Sequence, residues 1–405
     1  MKVLLANKFF YLKGGAEMTF FETARLLQEH GHRICFFSME HPQNQPSRFS
    51  KYFVSNVDFE DGRSLFDRLK ILGRMLYSFE AQRKIARLVK DENVDVAHFN
   101  SIYHQISPSI IHTLNKRNIP IIMTLHDYKL VCPAYTLMTK GKVCEKCINR
   151  RYYWCFINRC TKGSYVKSAL NSVEMYLHHR LLHIYELVDV FIAPSQFLKE
   201  KIEEMDFKGK IVYLPNTLNL NKFLPSYNYK EKTVYYAGRL SEEKGLHTLI
   251  EAVKGLDVKL KVIGDGPIRN ELEKSKGHNT YFMGYMSQEE LKRQAKKCMA
   301  MVIPSEWYEN NPRSVIEAFA LGKPVIGARI GGIPELVQDG QTGFTFQPGD
   351  ADDLREKVKQ LISMPSSQVR AMGEAARTFV EENFNQAGHY QGVMEIYHIA
   401  MQKYS

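Results

Sequence analysis

Twelve short apolar runs constrain this chain more than any other feature. The first six are MKVLLAN, RICFFSM, VDVAHFN, IPIIMTLHD, VDVFIAPS and KIVYLPN. The second six are TVYYAGRL, VKLKVIGDGP, NTYFMGYM, MAMVIPS, KPVIGAR and GFTFQPGD. Runs so short and so continuously apolar suit strands that are covered on both faces. Helical stretches such as GGAEMTFFETARLLQEHGH, KGLHTLIEAVKGL, SQEELKRQAKKC, SVIEAFALG and ADDLREKVKQLI lie between them. That alternation predicts an α/β fold with parallel sheets. The polar stretch LNLNKFLPSYNYKEK divides the two series, so residues 1–216 are read as one Rossmann-like domain, 217–231 as a linker and 232–382 as a second domain. The segment 383–405 is helical and able to cross back onto the first domain. A chain of 405 residues suits two domains of about 200.

In such folds ligands bind beyond the carboxyl ends of the strands, which points to a cleft between the domains. Gly14 and Gly15 sit between a strand and a helix, where glycine lets backbone approach a ligand and free amides favour phosphate. The spacing is neither a dinucleotide fingerprint nor a P-loop, and paired glycines are often only turns. Arg239 and Lys244 in YYAGRLSEEKG follow a strand and open a helix, a good clamp for a diphosphate unless both are merely solvated cations. In SEWYENNPRSVIEA, Pro312 suits a first helical turn, Glu309 precedes it in a loop and Glu317 lies further along the helix. Carboxylates so placed accept hydrogen bonds from the paired hydroxyls of a sugar or ribose. The plainer reading of Glu317 is an ion pair with a basic neighbour.

These stretches resemble the retaining glycosyltransferases of family 4, which have the GT-B fold of two Rossmann-like domains facing across a cleft and include many enzymes of bacterial polysaccharide, capsule and lipopolysaccharide synthesis. AGRLSEEKG, VIGDGP, FMGYMSQEEL, PSEWYENNPRSVIEAFALGKPVIG and GGIPELVQDGQTGF occur in the family's order, and the Glu-x7-Glu pair of Glu309 and Glu317 is its most specific mark. The resemblance implies that Gly14, Gly15, Arg239 and Lys244 hold the diphosphate of a UDP- or GDP-sugar. It implies that Glu317 binds the ribose, that Glu309 lies by the transferred sugar, that His126 in TLHD stands beside the reacting sugar or acceptor, and that Asn216 in LPNT closes the inter-domain side. From sequence alone His126 could equally be a satisfied core residue. Many relatives follow the first glutamate with a Gly-aromatic-Gly loop, whereas this chain has Asn310 and Asn311, side-chain donors in place of backbone amides. The implied reaction transfers a hexosyl or N-acetylhexosaminyl group with retention to a glycan or polyprenyl-diphosphate-linked acceptor. With two cations already at the leaving group, no divalent metal is expected in catalysis. A nucleotide-sugar epimerase of the same architecture is the alternative enzyme, and a basic RNA-binding protein the alternative binder, although no RNA motif supports it and no nucleic-acid partner is expected.

The net charge of +11 belongs to the first half, with 31 Lys/Arg against 21 Asp/Glu in residues 1–215. A positive face suits an anionic membrane surface. Residues 63–90 have an amphipathic helical pattern with Arg68, Lys70, Arg74, Arg83, Lys84 and Arg87, fit either to lie on lipid or to pack on its own domain. No secretory leader and no membrane-spanning run is expected, which reads as a cytoplasmic protein held peripherally at the inner face of the membrane. Five of the seven cysteines fall in an insertion near 130–163. Cys132, Cys144, Cys147 and Cys160, with Cys155 as the alternative fourth ligand, predict a structural zinc, the other reading being a set of reduced, partly buried thiols. Arg150, Arg151, Tyr152, Tyr153 and Trp154 of the same insertion are expected to meet a lipid-linked acceptor.

Overall fold

Val3, Leu4 and Leu5 are fully buried, and so are Val234, Leu260 and Met301, the pattern demanded of strands with helices on both sides. These residues come from a computed structural model that describes residues 1–56 and 73–404. The strands are β1 (Lys2–Ala6), β2 (Arg33–Phe37), β3 (Val96–Phe99), β4 (Ile121–Thr124), β5 (Met138–Thr139), β6 (Lys142–Val143), β7 (Val190–Ala193) and β8 (Ile211–Tyr213) in the first part of the chain. The second part supplies β9 (Thr233–Ala237), β10 (Lys259–Ile263), β11 (Thr280–Gly284), β12 (Ala300–Ile303), β13 (Val325–Ala328) and β14 (Gly343–Phe346). One parallel sheet has the order β2-β1-β3-β4-β7-β8 and the other β11-β10-β9-β12-β13-β14. Each sheet anchors its own apolar core, so the molecule is two Rossmann-like domains.

The strand order reverses beside β1 in the first sheet and beside β9 in the second, and crevices open at such switch points. Gly14 and Gly15 follow β1, Arg239 follows β9 and Glu309 follows β12, so the topology delivers these residues to facing edges.

The last helix, Gln386–Met401, leaves the second domain and buries Val393, Ile396, Tyr397 and Ala400 in the core of the first. Its polar anchor is the ring of His98 on β3, which meets the Tyr397 hydroxyl at 2.9 Å and the Thr124 hydroxyl at 2.7 Å. Burial holds this imidazole neutral, lowering its pKa to about 3.

Residues 63–72 of the expected amphipathic helix lie outside the described residues. The remainder is not one helix. Ser78 takes an extended conformation and its hydroxyl accepts from the Ala81 amide, starting a separate helix over Phe79–Glu92. Leu88 is fully buried, and Arg74 pairs with Glu80 at 2.9 Å, so this stretch packs on its own domain rather than presenting a lipid-facing stripe.

The insertion between β4 and β7 contains the β5–β6 hairpin and the helices Tyr153–Ile157 and Tyr165–Tyr176. Glu174 on the latter helix is fully buried and accepts from the buried Lys129 ammonium at 2.7 Å, with the His104 ring at 3.0 Å. Burial alone pushes the Glu174 carboxyl up, but His104 and Lys129 outweigh it and its pKa lies far below the ordinary value. Lys129 follows His126 in the loop after β4, so this pair fixes the loop that carries the histidine. Replacing Glu174 by Gln strands a buried ammonium and is expected to cost about 3–5 kcal/mol of stability, measured by urea unfolding at neutral pH. Because the folded pKa is depressed, the stabilisation is complete above about pH 5 and is lost as pH falls toward the folded value, so wild type and variant converge in acid.

Candidate functional site

A cavity of about 620 Å³ lies between the domains, walled by Gly14 and Gly15 on one side and by Arg239, Gly264, Arg313 and Glu317 on the other. A smaller chamber of about 170 Å³ adjoins it, lined by Gly15, His126, Asp127, Asn216, Glu309, Asn310 and Asn311. Gly15 and Arg313 line both, so the two form one continuous site with a large and a small end.

The glycine turn opens the helix Gly15–Glu29, whose first intrahelical bond runs from Met18 N–H to Gly14 O at 3.1 Å. The amides before it have no helical partner and suit an anion. A Cβ on Gly15 would meet no atom within 4 Å, so packing does not require glycine there; the space it would fill is the cavity. Gly264 differs, because at φ +134° a Cβ would strike the Gly238 carbonyl at 1.9 Å. Glycine is needed there to let the turn after β10 lie on the turn that presents Arg239. Arg239 itself is exposed and, among the described residues, has no ion pair.

Glu309 is buried at 7% exposure. Its Oε1 accepts from the Lys244 ammonium at 2.7 Å and from the Ser305 hydroxyl at 2.6 Å. Burial pushes the carboxyl up, but the Lys244 charge and these donors outweigh it, so Glu309 stays ionised with its pKa below the usual value. Lys244 also stands 4.8 Å above the Trp307 ring. Eight residues on, Glu317 lies in the helix Arg313–Ala320, with Pro312 as its N-cap rather than in its first turn. Arg313 Nε donates to Glu317 at 2.8 Å, and the guanidinium forks onto Glu22 of the first domain at 2.7 and 2.8 Å. Burial dominates at Glu317 and raises its pKa despite Arg313. The plainer reading of Glu317, an ion pair with a basic neighbour, therefore holds, and the residue also lines the larger cavity.

His126 lies in the small chamber, its Nε2 donating to Asn100 Oδ1 at 2.8 Å. Burial first and Lys8 second lower its pKa to about 4, so the ring is neutral and leaves Nδ1 as an acceptor. Asn216 Nδ2 donates to Asn311 Oδ1 at 3.1 Å. Asn310 accepts from the Ser195 hydroxyl at 2.8 Å and donates to the Leu125 carbonyl at 3.2 Å. Both asparagines line the chamber and their side chains also bind the first domain, Asn311 through its Oδ1 acceptor, so its Nδ2 donor is not used in that contact. They hold the loop bearing Glu309 against the loop bearing His126. The insertion joins this contact, since the Tyr308 hydroxyl donates to Glu145 at 2.8 Å.

Sequence reasoning missed Arg313 and Glu22. Arg313 had a signal, four residues before Glu317 on one helical face. Glu22 had none, being 291 positions away. The zinc expectation gains no support from the structure. Among the described residues no group of three or more His, Cys, Asp or Glu side chains is placed to hold a metal ion, and all seven cysteines are free thiols. Cys132, Cys147 and Cys155 sit in the apolar core of the first domain. Burial lifts Cys132 to about 11 and Cys147 higher, the neighbouring Cys132, Cys160 and Cys144 adding to the rise at Cys147. Tyr152 is likewise buried at 2%, while Tyr153 is 44% exposed.

Comparison with known proteins agrees with this geometry. The profile for Glycosyltransferase Family 4 matches residues 13–222, and that for Glycosyl transferases group 1 matches residues 221–379. An uncharacterized glycosyltransferase of Methanocaldococcus jannaschii is 23% identical over 401 residues, covering 98% of each chain. Among solved structures, sucrose-phosphate synthase from Thermosynechococcus elongatus is 18% identical with a TM-score of 0.73, covering 98% of each chain. Anabaena HepE, solved in complex with UDP and glucose, is 18% identical with a TM-score of 0.64, covering 98% of this chain and 99% of its own.

Proposed function

From the premise that the chain belongs to the glycosyltransferases, with a family 4 first half and a group 1 second half, we propose that it is a retaining enzyme acting on a UDP- or GDP-hexose or N-acetylhexosamine. The observation that carries this reading is the pair of adjoining cavities, one sized for a nucleotide and bearing Arg239 and Glu317, the other sized for a sugar and bearing Glu309 and His126. HepE, of the same fold, holds UDP and glucose.

The main barrier in such a transfer is charge gathering on the departing diphosphate. In this reading Arg239 and the amides after Gly14, at the larger cavity, and Lys244 beside Glu309 supply donors to that charge, and such electrostatic stabilisation is usually the largest catalytic effect. Glu317 accepts from the ribose hydroxyls. Glu309 and His126 orient the sugar, and the acceptor hydroxyl approaches the face from which the diphosphate leaves, giving its proton to a diphosphate oxygen as the glycosidic bond forms. Domain closure excludes the water that would otherwise capture the sugar.

The acceptor in this reading is a glycan or a polyprenyl-diphosphate-linked glycan of surface polysaccharide synthesis, reached at the inner face of the membrane. Exposed Phe156, Ile157, Tyr165 and Val166 in the insertion, beside Arg151, Arg159 and Lys162, support that placement. No helix among the described residues is long and apolar enough to cross a membrane. Proton NMR of the sugar transferred from, or hydrolysed off, an α-linked nucleotide sugar tests the stereochemistry. An α product at early times is expected, and a β product would overturn the retaining mechanism.

A further inference from the structure

A second concave site lies at the far side of the first domain, away from the cleft. It is about 180 Å³ and is lined by Arg150, His179, Tyr185, Phe207, Lys208 and Lys210, with Val188, Gly209 and the His183–Glu186 pair completing it. Val188 precedes β7 and Lys210 precedes β8, so the site sits at the amino ends of strands whose carboxyl ends face the glycosyl-transfer cleft.

We propose that this pocket binds a phosphate group that is free on at least three oxygens, supplied either as a monoester lipid headgroup or as free phosphate. Three cations line it against one carboxylate, Glu186, which is already engaged with His183 at 2.9 Å. Lys208 pairs with Asp206 at 2.6 Å, and Arg150 donates once to the His179 carbonyl at 3.3 Å, leaving most of its guanidinium available. Lys210 is exposed with no ion pair among the described residues. Two lining residues hold a buried polar atom with no partner, Nε2 of His179 and Oη of Tyr185, at 4% and 1% exposure. Orphaned polar atoms are costly in a dry interior and call for a partner. The His179 ring is neutral, its pKa lowered by burial to about 3, so it can donate to an oxyanion without adding charge.

The backbone is also distorted around the opening. Asn149, Arg150, His183 and Asp206 all have left-handed φ angles of 57°, 60°, 47° and 69°, and such strain in non-glycine residues concentrates at ligand clamps. The cavity accommodates a phosphate with a few attached atoms. A guanidinium and ammonium groups over a tetrahedral dianion make the charge-assisted set that phosphate favours. Leu181, between His179 and His183 in sequence, is 73% exposed, an apolar side chain on the segment that supplies both histidines.

Calorimetric titration of the full chain with inorganic phosphate, and sedimentation with vesicles containing phosphatidate against vesicles of phosphatidylglycerol at equal charge, test this. Each is repeated with Lys210→Glu, Arg150→Glu and, to remove phosphate binding in the cleft, Arg239→Ala. The expected result is saturable binding in at least one arm, weakened roughly 10- to 100-fold by Lys210→Glu and by Arg150→Glu and retained in Arg239→Ala. Lys210 is a surface residue, so its variant reads binding without threatening the fold, and nucleotide binding in the cleft is expected to be unchanged by it. A preference for phosphatidate identifies a lipid source, and binding of inorganic phosphate without that preference a free one. Absence of saturable binding in both arms, binding indifferent to Lys210 and Arg150, or complete loss in Arg239→Ala would overturn the proposal and leave the glycosyltransfer reading intact.

Discussion

Replacing Lys244 by Ala is expected to lower the sugar-transfer rate by roughly 10²- to 10³-fold, the loss typical when one preorganised donor to a developing charge is removed. The structure gives two reasons for so large an effect from one ammonium. Lys244 lines neither cavity itself, but it is only 21% exposed and held at 2.7 Å from Glu309, which lines the small chamber. It is also what keeps that buried carboxylate ionised. Without it the desolvation that already pushes Glu309 upward is opposed mainly by Ser305, and the carboxyl takes up protons at higher pH than in the wild type. The acid limb of kcat/KM is therefore expected to move to higher pH in Lys244→Ala, in addition to the fall in its plateau. Lys244→Arg keeps the charge and should retain the low limb. Unchanged transfer in Lys244→Ala, with the fold verified by its melting temperature, would remove Lys244 from the reaction.

Glu317→Ala is expected to raise the KM for the nucleotide sugar by roughly 10- to 100-fold, as loss of charged hydrogen bonds worth about 1.5–3 kcal/mol requires, with a smaller effect on kcat. Two roles of Glu317 meet here. It is the carboxylate that lines the nucleotide cavity, and it is one arm of the Glu22–Arg313–Glu317 bridge between the domains. Arg313→Ala separates them: it breaks the bridge and leaves Glu317 in place. If the ribose contact governs donor binding, Glu317→Ala carries the larger KM effect. If the bridge governs it, Glu22→Gln and Arg313→Ala will match Glu317→Ala, and the ribose role is lost.

The strands were legible because burial on both faces leaves no freedom in composition. KVLLA, VAHF and AMVI are apolar at nearly every position, with Lys2 at a strand end and His98 as the exceptions, and each became a strand in its expected order. The carboxylate pair was legible for a similar reason, since a proline between Glu309 and Glu317 fixes where the loop ends and the helix begins. Long-range polar contacts were not. Nothing near Glu22 marks it as a partner of Arg313, and nothing in ENNP shows that Asn310 will reach the Leu125 carbonyl in the other domain. Spacing left the cysteines open between a ligand set and buried thiols, and Cys147 of CEKC is carried into the apolar core. Amphipathic periodicity at 73–90 left lipid contact and packing on the domain open, and the apolar side of the helix Phe79–Glu92 turns inward after Ser78 interrupts the run.

The measurement that bears most directly on the cleft is calorimetric titration of the wild-type chain with UDP, GDP and ADP, repeated with Arg239→Ala. The account requires that one nucleoside diphosphate bind saturably and that the binding weaken at least tenfold, about 1.4 kcal/mol, in the variant. Folded protein that binds none of the three, or binds one equally well without Arg239, would contradict a diphosphate clamp at the junction of the two domains.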